Sequence, residues 1–565
     1  MKRTSFFITI VVLAALALIA SASSSVAQGS IPSQPSPSQK EGRVGIQAAL
    51  GTGFTYQGQI KQDGHPVSST CDLQFGLYDA ASLGVQLGVT QTVSSVSVAS
   101  GLFTVQLNGG SEFGASAFAG DARWLAIAVR CPAGSGSYTS LGRQALTAAP
   151  YALYAQRVKG YQNVLVVAKS GGDYTSVQAA LTSITTASDT NRYLVWVAPG
   201  VYTETVTMKP YVDIEGAGEL LTTISYTGSA SGNTGTVVGA NDAELRFLAV
   251  RNTGGNTRAI AIYNNGASPR HTHVTASASG GTTNYGVLNS SSSSPTMNDV
   301  TASASGGTTN YGVRNDSSSP TMNNVTASAS GGATNTGVHN YSSSAPTIRD
   351  STISASGGTN SFGVSNDSSS SPTIQNSTLR ASGATNSYGV YNNGSSSAPT
   401  IQNCTISASG ATYSYGVYNY SSSAPTIRDS TLSAMGGTGS FGVYNNSSSG
   451  LTIQNSTISA SDGVTSYGVY NYSSSATTIQ NSTLSASGGT SNYGIYNGAS
   501  GGSYTVKMDS CQVTGSTNTI SNDTEFTVRI GASQLDGGAV TGGGTVTCIG
   551  AYDENYTSPG YTTCP

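Results

Sequence analysis

The side chains best suited to chemistry crowd into one short stretch: Asp242, Glu244, Arg246, Arg251, Arg258, Arg270, His271 and His273. Two carboxylates beside an arginine could move a proton while the guanidinium holds an anion. Asp242, Glu244 and Arg246 are therefore the candidate catalytic residues, and an acidic polysaccharide is the substrate class they would suit. On an extended strand, the His271-x-His273 spacing places both imidazoles on one face, as a metal site requires. No third ligand accompanies them, so the pair reads as incidental, and neither a metal nor a cofactor is expected.

Beyond this stretch charge almost vanishes. Between residues 281 and 500 the charged residues are Asp299, Arg314, Asp316, Arg349, Asp350, Asp367, Arg380, Arg428, Asp429 and Asp462, and His339 is the only histidine. Asp299 and Asp350 lie two repeats apart, as do Asp316 and Asp367. At the ~4.8 Å spacing of adjacent strands each pair is separated by about 9.6 Å, at the edge of what an inverting glycosidase uses. A ladder of turn residues explains Asp299 and Asp350 better.

What must position these groups is a repeat. Glycines followed by Val or Ile stand at 286, 312, 337, 363, 389, 416, 442, 468 and 494, a period of about 26 residues, with Ala261-Ile262-Tyr263-Asn264 as an imperfect earlier copy. Each unit contains two strand-like pieces, such as Ser414–Tyr418 and Thr426–Leu432, joined by Ser- and Gly-rich turns. So short a unit cannot bury a core alone, and consecutive units must stack into a solenoid. Stacking turns positions into columns. Val or Ile follows each glycine, and Tyr or Phe precedes it in all copies but Thr336. Alternation assigns both columns to the interior. Two further inward columns run Met297 to Ile479 and Ala302 to Leu484. Asparagine recurs three residues after each glycine, from Asn289 to Asn497, and Asp or Asn recurs from Asp299 to Asn481. An amide that donates to one neighbour and accepts from the other suits such a ladder, and Asn tolerates left-handed turns.

Two residues after the glycine stand Leu288, Arg314, His339 and Ser365, and then Tyr391, Tyr418, Tyr444, Tyr470 and Tyr496. Alternation turns this column to solvent. Five tyrosines at one per rung span about 19 Å, and they are the candidate ligand-binding residues, offering rings and hydroxyls to a polysaccharide or cell-surface glycan. Rings this close could instead stack on one another and show only their edges.

Composition limits the other options. Charged residues make up 9% of the chain and the net charge is −3, so no basic surface exists for nucleic acid. Lys2-Arg3, an apolar run from Phe6 to Ala20 and Ser25-Val26-Ala27 read as a signal peptide over 1–27. Secretion to the exterior or cell surface, with no membrane span in the mature chain, is the expectation. Residues 28–50 read as a flexible linker, 51–157 as a small antiparallel β-sandwich, 158–501 as the solenoid, and 502–565 as final turns and a cap. Cys71 with Cys131, and Cys548 with Cys564, are candidate disulfides. Cys404 and Cys511 fall in a column of serines four rungs apart, too far to bridge, and are expected to be buried thiols.

Phe54-Thr55-Tyr56-Gln57-Gly58-Gln59 and Ala149-Pro150-Tyr151-Ala152-Leu153-Tyr154 resemble a module at the head of large exported bacterial proteins, which implies a spacer or docking role. Val177, Ala180, Leu181 and Ile184 have helical spacing and would close the open end of the solenoid. The segment from Gly171-Gly172-Asp173-Tyr174 through Pro199-Gly200-Val201-Tyr202 to Val212-Asp213-Ile214-Glu215-Gly216 resembles the entry turns of pectinesterases. It places the chain with the pectin-lyase-like superfamily of right-handed parallel β-helices. The resemblance implies that fold. It does not carry the activity, because no Asp-Phe-Ile-Phe-Gly-like or Gln-Asp-Thr-like segment follows. Two functional readings stand: a non-catalytic surface or adhesive protein contacting polysaccharide, and a lyase, esterase or hydrolase acting on an acidic polysaccharide.

Overall fold

In a computed structural model of the chain, residues 53–564 are described apart from 115–116, 118–121, 147–160, 162, 229–233, 256, 395, 448–449, 474–475, 500 and 558–563. The signal segment, the 28–50 linker and the Ala149–Tyr154 motif lie outside the described residues. The chain divides into two units, Met1–Lys159 and Gly160–Pro565.

In the first unit, alternating apolar residues build two small antiparallel sheets around one core. Phe54–Gln59 pairs with Leu102–Leu107, and Ser69–Tyr78 lies between Gln86–Val98 and Trp124–Arg130, with Thr139–Ala145 at the edge. Leu73, Phe75, Leu77, Leu107 and Leu125 are fully buried between them. Cys71 and Cys131 are bonded, with their Cα atoms 4.5 Å apart. Beside them the Asp72 carboxylate accepts from the Ser95 and Gly134 amides and from Arg130, which holds its pKa down at about 2.

The second unit is a coil of parallel strands. One side is a 14-stranded sheet, and the remaining strands also pair in parallel from rung to rung. The helix Val177–Ser183 is capped by Ser176 and buries Val177, Ala180 and Leu181 in the same core as the first coil strands. The inward columns are continuous. Val287 to Ile495 after each glycine, Met297 to Ile479, and Ala302 to Leu484 are all fully buried. A buried Ile or Leu side chain contributes about 1.5–3 kcal/mol, so this spine is the main source of stability. The coil continues past residue 501 through Tyr504–Asp509, Gln512–Gly515 and on to Thr545–Ile549, and the Cys548–Cys564 bond ties down its end.

Three features differ from the reading by alternation. From Thr321 onward each turn carries three strands where two were expected: Thr426–Leu432 splits into Thr426–Arg428 and Thr431–Met435. The cause is Asp429, which takes a left-handed conformation (φ 51°) and turns the corner. The whole Asp/Asn column from Asp299 to Asn481 does the same.

The aromatic residue before each glycine points outward, not inward. In Tyr413–Tyr420, Gly416 and Val417 are buried in succession, so alternation skips one position there. Tyr415 and Tyr418 consequently share the outer face. Glycine is required at this kink because a Cβ on Gly416 would lie 2.4 Å from the carbonyl oxygen of Gly442 on the next rung.

His271 and His273 do not share a face. His273 takes a left-handed conformation (φ 50°), which leaves its side chain exposed while His271 is fully buried.

Asn289 and its equivalents lie within strands rather than at turns, fully buried. From Asn264 to Asn522 each amide nitrogen donates to the next amide oxygen, as in Asn315 to Asn340 and Asn340 to Asn366, both 2.8 Å. Asn264 also meets His271 Nε2 at 3.1 Å. Burial pushes the His271 pKa down to about 4, so a neutral imidazole abuts the first rung of the ladder. Cys404 and Cys511 are unpaired and buried, each donating its amide to a serine hydroxyl of the next rung.

Candidate functional site

Glu244 and Arg246 meet on the first rungs, as members of a larger ionic cluster. Glu215 and Arg246 are register partners on adjacent strands, and Arg246 Nε lies 2.7 Å from Glu215 Oε2. Its Nη1 lies 2.7 Å from Glu244 Oε2 and donates to the Tyr161 hydroxyl. Tyr161 donates to Asp213, which also accepts from Arg192 at 3.0 Å and from the Glu244 amide at 2.7 Å. Thr272 donates to the other Glu244 oxygen.

Asp213 and Glu215 are buried. Burial alone would lower the Arg246 pKa, but Tyr161 and Glu215 outweigh it and hold the guanidinium charged. Asp242 is exposed at a left-handed corner and contributes its backbone carbonyl to Arg192. Arg251, Arg258 and Arg270 are exposed.

A carboxylate that attacks or transfers a proton needs a lone pair turned toward substrate. In this cluster Asp213 and Glu244 accept on both oxygens from neighbouring side chains and amides, and Glu215 grips the guanidinium. The arrangement locks four successive rungs together. Asp213, Glu215, Tyr161 and Arg192 were missed by sequence reasoning; the available signal was Asp-x-Glu on one strand facing Glu-x-Arg on the next. Among the described residues, no group of three or more His, Cys, Asp or Glu is placed to hold a metal.

The outer face of the 14-stranded sheet is the second candidate. Tyr391, Tyr418, Tyr444, Tyr470 and Tyr496 lie on successive rungs, half-buried. Neighbouring rings stack: Tyr418 on Tyr444 at 4.9 Å and 3°, and Tyr444 on Tyr470 at 4.8 Å and 4°. The second column, Tyr388, Tyr415, Phe441, Tyr467 and Tyr493, stacks likewise, with Tyr388 on Tyr415 at 4.9 Å and 6°. The two columns meet edge to face, Tyr415 and Tyr418 at 89°. Ring faces inside the columns are therefore covered by other rings, leaving edges and hydroxyls to solvent. Tyr420 and Tyr472 extend the face and are more exposed.

At the N-terminal end of this stripe the same columns turn polar. Arg314 pairs with Asp316 at 3.3 Å and lies over the Tyr311 ring. His339 stacks on Tyr311 and meets Asp367 at 2.8 Å, which also accepts from Ser365.

Burial raises the phenol pKa values along the stripe, to about 12 at Tyr391 and Tyr470. A raised folded-state pKa stabilises the fold fully below the unfolded value near 10, and this contribution is lost as pH climbs through 12. In an alkaline titration followed by phenolate absorbance, we expect these tyrosines to lag behind the exposed ones and to ionise as the coil melts. Uniform ionisation near pH 10 with the β-sheet signal intact would contradict the packing.

Residues 362–546 match the family described as right handed beta helix region, and residues 55–144 match a domain of unknown function (DUF8740). No curated protein matches the chain. Among solved structures it is similar to pectin methylesterase PemA from Erwinia chrysanthemi, at 14% identity over 41% of this chain and 81% of that one, TM-score 0.31. It is also similar to the A-module of mannuronan C-5 epimerase AlgE6 from Azotobacter vinelandii, at 15% identity over 68% and 95%, TM-score 0.34. A catalytic domain of a GH87 α-1,3-glucanase covers 91% of this chain and 88% of its own, at 12% identity and TM-score 0.34. The repeat-bearing part of the chain is a right-handed parallel β-helix.

Proposed function

We propose that this protein works outside the cell as a non-catalytic, polysaccharide-binding β-helix, with the aromatic face of its long sheet as the contact surface. The observation that carries the reading is the double column of aromatic rings, nine tyrosines and Phe441, continuous over five rungs and turned to solvent on a chain otherwise dominated by Ser, Thr, Asn and Gly. Its hydroxyls and ring edges recur at the strand spacing, so a polymer laid along the axis meets the same contact at every rung.

Two disulfides fit an oxidising exterior. Among the described residues no helix is long and apolar enough to cross a membrane. The satisfied carboxylates of the Asp213–Arg246 cluster support binding without turnover.

The test is co-sedimentation of the full chain with insoluble polysaccharides, alongside hydrolysis assays on the same polymers. Retention without product is the expected result, and methylated pectin should release no methanol above a blank. Turnover that Glu244→Gln abolishes would replace this reading with an enzymatic one.

A further inference from the structure

The five rungs of the aromatic stripe share a property that narrows the ligand. Asn386–Asn393, Tyr413–Tyr420, Gly439–Asn446, Thr465–Tyr472 and Ser491–Gly498 contain no Asp, Glu, Lys, Arg or His. Their outward groups are phenols, amides, hydroxyls and the Phe441 ring.

Along these columns charge appears only beyond the stripe. At one end stands Asp367, one rung before Tyr391. At the other, Asp523 accepts from the Ala499 amide and lies close enough to Tyr470 and Tyr496 to raise both phenol pKa values, after burial. The nearest basic side chains in these columns, His339 and Arg314, lie one and two rungs before Ser365 and are already paired with Asp367 and Asp316.

We infer that the glycan held on this face is an uncharged polysaccharide. The inference rests on the reading of the face as a glycan surface. A uronate polymer laid along these rungs would surrender carboxylate hydration and find no cation, and an unpaired charge taken from water is costly. The flanking Asp367 and Asp523 carboxylates would repel it further. A neutral polymer meets no such penalty. Its hydroxyls can donate to the Asn393 and Asn446 amide oxygens and exchange hydrogen bonds with phenols that burial keeps protonated.

The experiment is affinity electrophoresis of the full chain through gels containing xylan, mannan or mixed-linkage β-glucan, against gels containing polygalacturonate or alginate. It is run at low salt and at about 0.5 M sodium chloride, where screening reaches within a few ångströms. We expect retardation by at least one neutral polymer, insensitive to salt and at least about tenfold stronger than by either acidic one. A second arm uses Asn393→Lys, which places a cation on the face and should raise retention on polygalacturonate several-fold at low salt. Equal or stronger binding of the acidic polymers by the wild type would overturn the inference while sparing the glycan surface. So would an Asn393→Lys variant indifferent to them. Retardation by no polymer of either class would overturn the glycan surface itself, and this inference with it.

Discussion

Asn340→Leu is expected to destabilise the coil by about 2–6 kcal/mol, since it strands two buried amides at about 1–3 kcal/mol each. The Asn315 amide would lose its acceptor and the Asn366 oxygen its donor, both at 2.8 Å and both fully shielded from water. Leucine keeps the four side-chain heavy atoms of asparagine but is bulkier, so at this fully buried position overpacking of about 1–3 kcal/mol adds to the loss. Asn386→Leu is the control: its amide also donates to a neighbour, Asn360, but it is only half-buried, so about 1 kcal/mol or less is expected. Rungs in a solenoid contact chiefly their neighbours, so the damage should centre on residues 315–366. Hydrogen exchange read rung by rung, with denaturant midpoints, measures both size and place. A cost under about 0.5 kcal/mol for Asn340→Leu would mean that the ladder amides have other partners.

The second large effect concerns binding. Replacing Tyr418, Tyr444 and Tyr470 with serine should abolish retention on any polysaccharide the protein holds. Three contact side chains at about 1 kcal/mol each correspond to roughly two decades of affinity. The fold should survive, because Val417, Val443 and Val469 beneath the stripe are fully buried and untouched. Lost stacking should cost about 0.5–1.5 kcal/mol per ring pair. The corresponding triple phenylalanine variant separates two roles of the ring. Stacking covers the ring faces, so hydroxyls carry most of the contact; this variant should stay as stable as the wild type yet lose most of its retention. Full retention by the serine variant would make the stripe a stacking ladder and nothing more.

The sequence revealed most where chemistry repeats. The spacing of the glycines, the inward Val/Ile and Met/Ile columns, the Val177–Ser183 helix and the isolation of Cys404 from Cys511 all follow from periodicity and strand spacing. Parity failed where the backbone leaves the simple alternation of a strand. Gly416 and its equivalents shift the phase by one residue, which moved Tyr415 outward. His273 and Asp429 turn left-handed corners, which separated the two histidines and split one strand into two. These are backbone events, and an alternating pattern cannot announce them.

The ionic cluster was half legible for a different reason. Glu244 and Arg246 lie close together in sequence, but their partners Tyr161, Arg192, Asp213 and Glu215 come from earlier turns, and only the Glu215–Arg246 register joins them.

The most direct test of the aromatic face as a glycan surface is hydrogen–deuterium exchange of the full chain with and without a polysaccharide that retains it. Protection confined to residues 386–498, strongest on the Tyr418, Tyr444 and Tyr470 rungs, is the predicted result. Protection centred on Asp213, Glu244 and Arg246, with the tyrosine rungs unchanged, would contradict it and move the binding site to the ionic cluster.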